Sequence, residues 1–330
     1  MTAGRKTMPL LIGALAAVIA LWFLPLGLPS DYFVSLAARL LALVLLVGSF
    51  NLLMSYLGLT SFGHSALYGV GAYAFGLMLR SFDVDISFGL ATSVLAGALV
   101  AAVIGPIMLR STGIYFLLLS LAIGQVLWGI ADSWRAVTGG SDGMIIYTTA
   151  HFVGVDLDDP VSIFRLVSIV VVLAIVVLHV IVHSPFGLVL QGVRDSDMRM
   201  AALGFDIFRL RLLAFVVSGA LAGLSGGLVA AVNHFASPDV MSVRLAVELV
   251  LAVVLGGRGS FWRPLIAAVV LFGLQEAISI YTALWPLFLG LIFMVSVYAL
   301  RFELLSGGWF AGGRRITQKP NTSVEDLSPS

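Results

Sequence analysis

Runs of about 20 apolar residues, each long enough at roughly 1.5 Å of rise per residue to cross the hydrocarbon of a bilayer, recur along almost the whole of this sequence. That recurrence excludes a soluble core. Of the 330 residues 60% are hydrophobic and 11% charged, an interior too large for the wettable surface that would have to cover it. The chain is therefore expected to be an all-α, polytopic transmembrane helical bundle.

Charge, Pro and Gly divide the chain into ten predicted spans: 8–28, 33–56, 60–79, 87–109, 113–133, 161–183, 212–233, 245–257, 264–283 and 286–302. With the N-terminus inside, the cytoplasm receives Arg5, Lys6, Arg110, the arginines of 192–211, Arg258, Arg263, Arg314, Arg315 and Lys319. The outside receives Arg80, Arg135 and Arg244, with Asp83, Asp85, Asp142, Asp156, Asp158 and Asp159. That basic bias places both termini in the cytoplasm. Arg5 and Lys6 before an apolar run resemble a signal peptide. The run Met8–Leu28 is too long for one and no small-x-small cleavage site follows, so an uncleaved first span is expected. The organisation is then a transmembrane domain over 1–302, with an exterior loop at 134–160 and a cytoplasmic loop at 184–211. A flexible tail rich in Gly, Ser and Pro occupies 303–330.

Two spans are irregular. The eighth is short and ends in GGRGSFWRP, which cannot continue a helix, so it is expected to be short, tilted or broken. The third opens with LGLTSFGHSALYGVGAY, whose glycines permit non-helical backbone. Such backbone survives at membrane depth only where protein or a water-filled cavity satisfies it.

Several function classes drop out. A net charge of +1 with scattered basic residues gives no footprint for nucleic acid, and the absence of cysteine removes thiolate metal sites and thiol nucleophiles. No HExxH motif supports a membrane enzyme, and no cofactor or metal is expected. The two lysines, Lys6 and Lys319, do not follow a glycine-rich turn, so the chain lacks the phosphate-cradling loop of an ATPase. A transporter of this kind must borrow work from an ion or a partner.

Titratable residues inside the spans are few: His64, Glu248, Glu276 and His179. Glu248 lies one turn after Arg244 and is expected to pair with it. Glu276 reads either as an interhelical hydrogen-bonding group or as part of a solute path, and His179 as interfacial. Ionic side chains are almost absent from these spans, so a tight charge-paired solute site within the chain is not expected. In the seventh span Gly219, Gly223 and Gly227, with Ser218, Ala222 and Gly226 on the adjacent stripe, form a face for close helix packing.

Charge concentrates instead in GVRDSDMRMAALGFDIFRLR, residues 192–211, with four arginines and three aspartates. Asp195 or Ser196 can cap a short helix through Met198–Leu203, and Gly204 can end it in the left-handed conformation. Asp195 and Arg199, four apart with the acid first, suit a helix lying in water.

GLTSFGHSALYGVGAY, STGIYFLLLSLAIGQV, TGGSDG, RDSDMRMAALGFDIFRLRLLAFVVSGALAGLSGGL and VVLGGRGSFWRPLIAA, in this order, resemble the LivM-type permeases of branched-chain amino acid ABC importers, over about residues 50–270. The resemblance implies that Arg194, Asp195, Asp197, Arg199, Ala201, Ala202 and Gly204 belong to a coupling loop docking on an ATPase. Ala201 stands where relatives usually carry a glutamate. It also implies that Thr60, Ser61, Gly63 and His64 lie near the solute path, and that Thr138–Gly143 faces a solute-binding protein, although that stretch is equally a tight turn. The implied partners are a second homologous permease subunit, two ATP-binding subunits and an extracytoplasmic solute-binding protein, assembled in the inner-membrane lipid bilayer. The alternative is a self-sufficient secondary transporter or channel for small neutral solutes such as amino acids, amides or urea, with His64 and Glu276 in its path.

Overall fold

The computed structural model describes residues 4–27, 30–82, 85–146, 151–152, 155–156, 159–257 and 259–280, with positions 287, 290, 291 and 294. Contacts divide the chain into a main unit, Met1–Trp285, and a second, Pro286–Ser330, whose described positions are helical. The main unit runs through α1 (Gly4–Phe23), α2 (Asp31–Asn51), α3 (His64–Phe82), α4 (Ile86–Met108), α5 (Ile114–Ser133) and the short α6 (Arg135–Thr138). It continues with α7 (Pro160–His183), α8 (Pro185–Asp195), α9 (Asp197–Ala202), α10 (Ile207–Asn233), α11 (Val243–Gly256) and α12 (Trp262–Ser279). Two-residue strands interrupt it: β1 (Met144–Ile145), β2 (His151–Phe152), β3 (Val155–Asp156) and β4 (Phe235–Ala236).

Among the described residues six helices are long and apolar enough to cross a membrane: Asp31–Leu57, Ile86–Met108, Ile114–Ser133, Pro160–His183, Ile207–Asn233 and Trp262–Ser279. The all-α membrane architecture follows. The predicted runs 8–28, 60–79 and 245–257 are occupied by α1, α3 and α11, whereas 286–302 and the tail lie almost wholly outside the described residues. One predicted boundary needs correction. The seventh span begins at Ile207 rather than 212, because Asp206 caps it, its carboxylate accepting the Arg209 N–H at 3.1 Å. The loop expected over 184–211 is thus largely α8, α9 and the first turn of α10.

Helix α10 runs through the middle of the bundle, packed by α2, α3 and α4. Its small-residue face explains why. A Cβ at Gly223 would strike the Ser93 carbonyl, and one at Gly97 of α4 would strike the Gly219 carbonyl, so backbone meets backbone along this seam. Hydroxyls on the same helix reach across. Ser218 Oγ donates to the Ser49 carbonyl and Ser225 Oγ to the Ala42 carbonyl, each at 2.6 Å. Interhelical bonds of this kind average only about 0.6 kcal/mol in membranes, so close packing supplies most of the cohesion.

The two ends of α10 meet different loops. At its C-terminal end β4 pairs antiparallel with β1, Met144 opposite Ala236 and Ile145 opposite Phe235. After β4 the chain turns back into the bundle: Ser65 Oγ on α3 donates to the Met241 carbonyl at 3.3 Å, and Met241 is buried. α11 starts only after this re-entry. Its 14 residues therefore span roughly 21 Å, less than a hydrocarbon core of about 30 Å.

At the other end α2 does not finish as an α-helix. Residues Leu52–Leu57 widen into a π turn, and Gly58, at φ +79°, ends it in the left-handed conformation. Backbone is non-helical up to the start of α3 at His64, and it is held against α5: the Phe62 N–H donates to Ser120 Oγ at 2.9 Å.

Candidate functional site

The charged stretch folds as a strap across the α2 break. Ser196 caps α9, its Oγ accepting the Arg199 N–H at 3.4 Å, and Gly204 at φ +87° closes it with Phe205 N–H on the Met200 carbonyl. The expected Asp195–Arg199 pair does not form. Extended Ser196 (φ −168°, ψ 108°) separates α8 from α9, so Asp195 and Arg199 are not one helical turn apart, and Asp195 instead accepts from Arg194 Nε and Nη2 at 3.0 and 2.9 Å. Asp197 is tied instead to α10: Arg211 Nη2 donates to both its oxygens, at 2.9 and 2.7 Å.

Arg194 makes the contact that matters most here. Its Nη1 donates to the Ser55 carbonyl at 2.6 Å, and its side chain lies over Gly58, where a Cβ would come within 2.8 Å of Arg194 Cγ. The last carbonyls of any helix lack intrahelical donors, and a cation there is favoured by the helix dipole. The guanidinium thus caps the broken end of α2 from the last turn of α8. Around this contact Ser55, Thr60, Thr112, Arg194, Asp197 and Arg211 help to line a cavity of about 640 Å³.

The outer side of α9 is exposed and partly apolar. Met198 is 84% exposed and Leu203 72%, and Ala201, Ala202 and Gly204 are also exposed.

The other predicted site residues divide. Thr60 lines the cavity, whereas Ser61 and His64 are fully buried behind it. Ser49 Oγ donates its one proton to the Leu46 carbonyl at 2.7 Å, so at 2.8 Å it accepts from His64 Nε2–H. That leaves His64 Nδ1 a bare acceptor; it and Ser61 Oγ have no partner among the described residues. Gly63 packs against the Ser120 carbonyl, where a side chain would not fit.

Glu276 is not joined to this group. It accepts from Tyr32 OH at 3.1 Å and lies 3.7 Å from Arg39 Nη2. The expectation of almost no ionic side chain along the spans is corrected by Arg39, a cation well inside α2 that was a visible signal in the 33–56 run. Glu248 is buried and pairs with Arg244 at 3.1 Å. His179 stacks on His183 at 4.0 Å between ring centroids and meets Phe261 edge-on. In TGGSDG, Thr138 Oγ1 donates to the Ala131 carbonyl at 2.6 Å, and Gly139, Gly140 and Gly143 all have positive φ, so the stretch is a tight turn leading into β1.

The family model described as branched-chain amino acid transport system / permease component matches residues 32–297. The high-affinity branched-chain amino acid transport system permease protein LivM of Salmonella typhimurium is 27% identical over 280 residues, covering 78% of this chain and 66% of that protein. LivM of Escherichia coli is 26% identical over 280 residues with the same coverage. A probable branched-chain amino acid transport permease protein LivH of Methanocaldococcus jannaschii is 24% identical over 251 residues, 72% of this chain and 77% of that one. The chain spans 66% of the length of the LivM proteins. No solved structure matches it.

Proposed function

The chain belongs to the branched-chain amino acid transport permease family, and from that premise we propose that it is the membrane-spanning permease subunit of an ATP-driven importer of branched-chain or other neutral amino acids. Its partners in this reading are a second, related permease, two ATP-binding subunits and a solute-binding protein outside the inner membrane. The chain crosses the bilayer ten times with both termini in the cytoplasm, so that α8, α9 and the α2 break face the ATPases and the β1–β4 end faces the binding protein.

The observation that carries this reading is the strap: α9 offers exposed Met198 and Leu203 outward while Arg194 grips the Ser55 carbonyl inward. Arg194, Asp195, Asp197, Arg199, Ala201, Ala202 and Gly204 form the coupling element. Closure of the ATPases on ATP displaces α9. The Arg194 contact then carries the movement to the end of α2 and to Thr60, Ser61, Gly63 and His64, which border the solute path. A ligand or partner shifts such an equilibrium only through contacts that differ between its states, and the partners supply those contacts, as a chain without an ATP site requires.

Reconstitution tests it. Proteoliposomes holding this chain with the second permease and the ATPases, given binding protein and labelled leucine, take up leucine only when ATP is present. Uptake that persists without the ATPases, or that collapses with the proton gradient while ATP is held, overturns the reading in favour of a self-sufficient secondary transporter.

A further inference from the structure

Arg39 lies eight residues into α2 from Asp31, roughly 12 Å below that end at the helical rise. Glu276 lies fourteen residues into α12 from Trp262, roughly 21 Å above the opposite end. The two depths sum to about the thickness of the hydrocarbon, which is how an antiparallel pair of spans brings two charges level. The pair therefore sits toward the β1–β4 end of the bundle, two turns into α2 and three residues before the end of α12.

It is neither closed off nor tight. The Arg39 and Glu276 side chains are 38% and 27% exposed, and their N···O separation of 3.7 Å is well beyond the ~2.8 Å of a charge-assisted hydrogen bond. Glu248 differs: its side chain is 4% exposed and Arg244 holds it at 3.1 Å. Arg39 donates no hydrogen bond to another described residue, so its planar fork of N–H donors is available. Tyr32 OH, on the same α2 face, already donates to Glu276. Charges half open at membrane depth are costly in lipid and belong against a water-filled path or a protein neighbour.

We propose that Arg39, Glu276 and Tyr32 form a station for the charged end of an α-amino acid as it passes through the permease; this rests on the importer reading above. The solute carboxylate docks on the Arg39 guanidinium, and its ammonium docks on the Glu276 carboxylate beside the Tyr32 hydroxyl. The exchange keeps charge balanced. One loose Arg–Glu pair gives way to Arg–carboxylate and ammonium–Glu pairs, and the site is neutral with or without solute. A net anion or cation would leave one protein charge unpaired at depth, so the station favours zwitterions. After release the two side chains pair with each other again.

The test uses the assembled transporter in proteoliposomes, with labelled leucine as probe. Arg39→Gln and Glu276→Gln each lower uptake by about tenfold or more, the loss of one charged contact. The double variant, with charge balance restored, remains as slow, while ATP hydrolysis stimulated by liganded binding protein persists. Recovery of uptake in the double variant to within about twofold of wild type would mean that the pair only neutralises itself, and would overturn the station. A second measurement does not depend on those variants assembling. The chain has no cysteine, so in Tyr32→Cys a water-soluble thiol reagent modifies this chain at one place, and only if the thiolate meets water. Modification slowed by leucine is expected; no modification, or modification indifferent to leucine, refutes the station. If wild-type vesicles show no ATP-dependent leucine uptake, the importer reading fails instead.

Discussion

Arg194→Met separates transmission from folding. Methionine keeps an unbranched stem over Gly58 but removes the hydrogen bond from Nη1 to the Ser55 carbonyl, 2.6 Å in the structure, and the positive charge at the end of α2. A hydrogen bond from a charged group is worth ~1.5–3 kcal/mol, and a cation at a helix C-terminus adds ~0.3–1 kcal/mol. The Arg194 side chain is 33% exposed, so the lower part of those ranges applies, and the pair with Asp195, itself 57% exposed, adds almost nothing. The total is about 2 kcal/mol, or up to about 30-fold in the equilibrium between gripped and released α2. In proteoliposomes the ATP hydrolysed per leucine imported should rise several-fold, toward that limit, while assembly is unchanged. Arg194→Lys, which keeps the charge but loses the fork, should fall between. If Arg194→Met holds its coupling ratio within about twofold of wild type, the strap does not transmit through this contact.

Gly204→Trp faces open space at a positive φ, so it costs only the roughly 1–2 kcal/mol of local strain; it should insert and assemble, yet lose coupled uptake because the ring would stand on the surface proposed to dock the ATPase. Gly97→Val drives a side chain into the Gly219 carbonyl, and overpacking of this kind costs about 1–3 kcal/mol or more; a lower melting temperature in detergent and a poor yield of monodisperse protein would check it. Ser49→Val leaves the buried His64 Nε2–H without its acceptor, about 1–3 kcal/mol of destabilisation, whereas Ser49→Thr should retain most of the stability.

The sequence by itself determined the class of the molecule. Apolar runs of membrane length need no tertiary information to become helices, since each satisfies its own backbone. The Ser196 cap and the Gly204 stop were legible for a related reason, since caps act within one turn. The glycines at Gly58 and Gly63 announced a break that the structure places between Leu57 and His64. Tertiary structure decided what these pieces touch. Arg194 could have paired with any acid in its charged stretch; it reaches Ser55 because α8 packs across the end of α2, 139 residues away in sequence. Arg39 and Glu276, separated by more than 230 positions, become partners only because α2 and α12 run side by side. Hydrophobic pattern fixes which segments enter the bilayer, but the apolar faces of different helices resemble one another. Only backbone fit, such as Gly97 against Gly219, selects the neighbours and thereby the polar groups that meet.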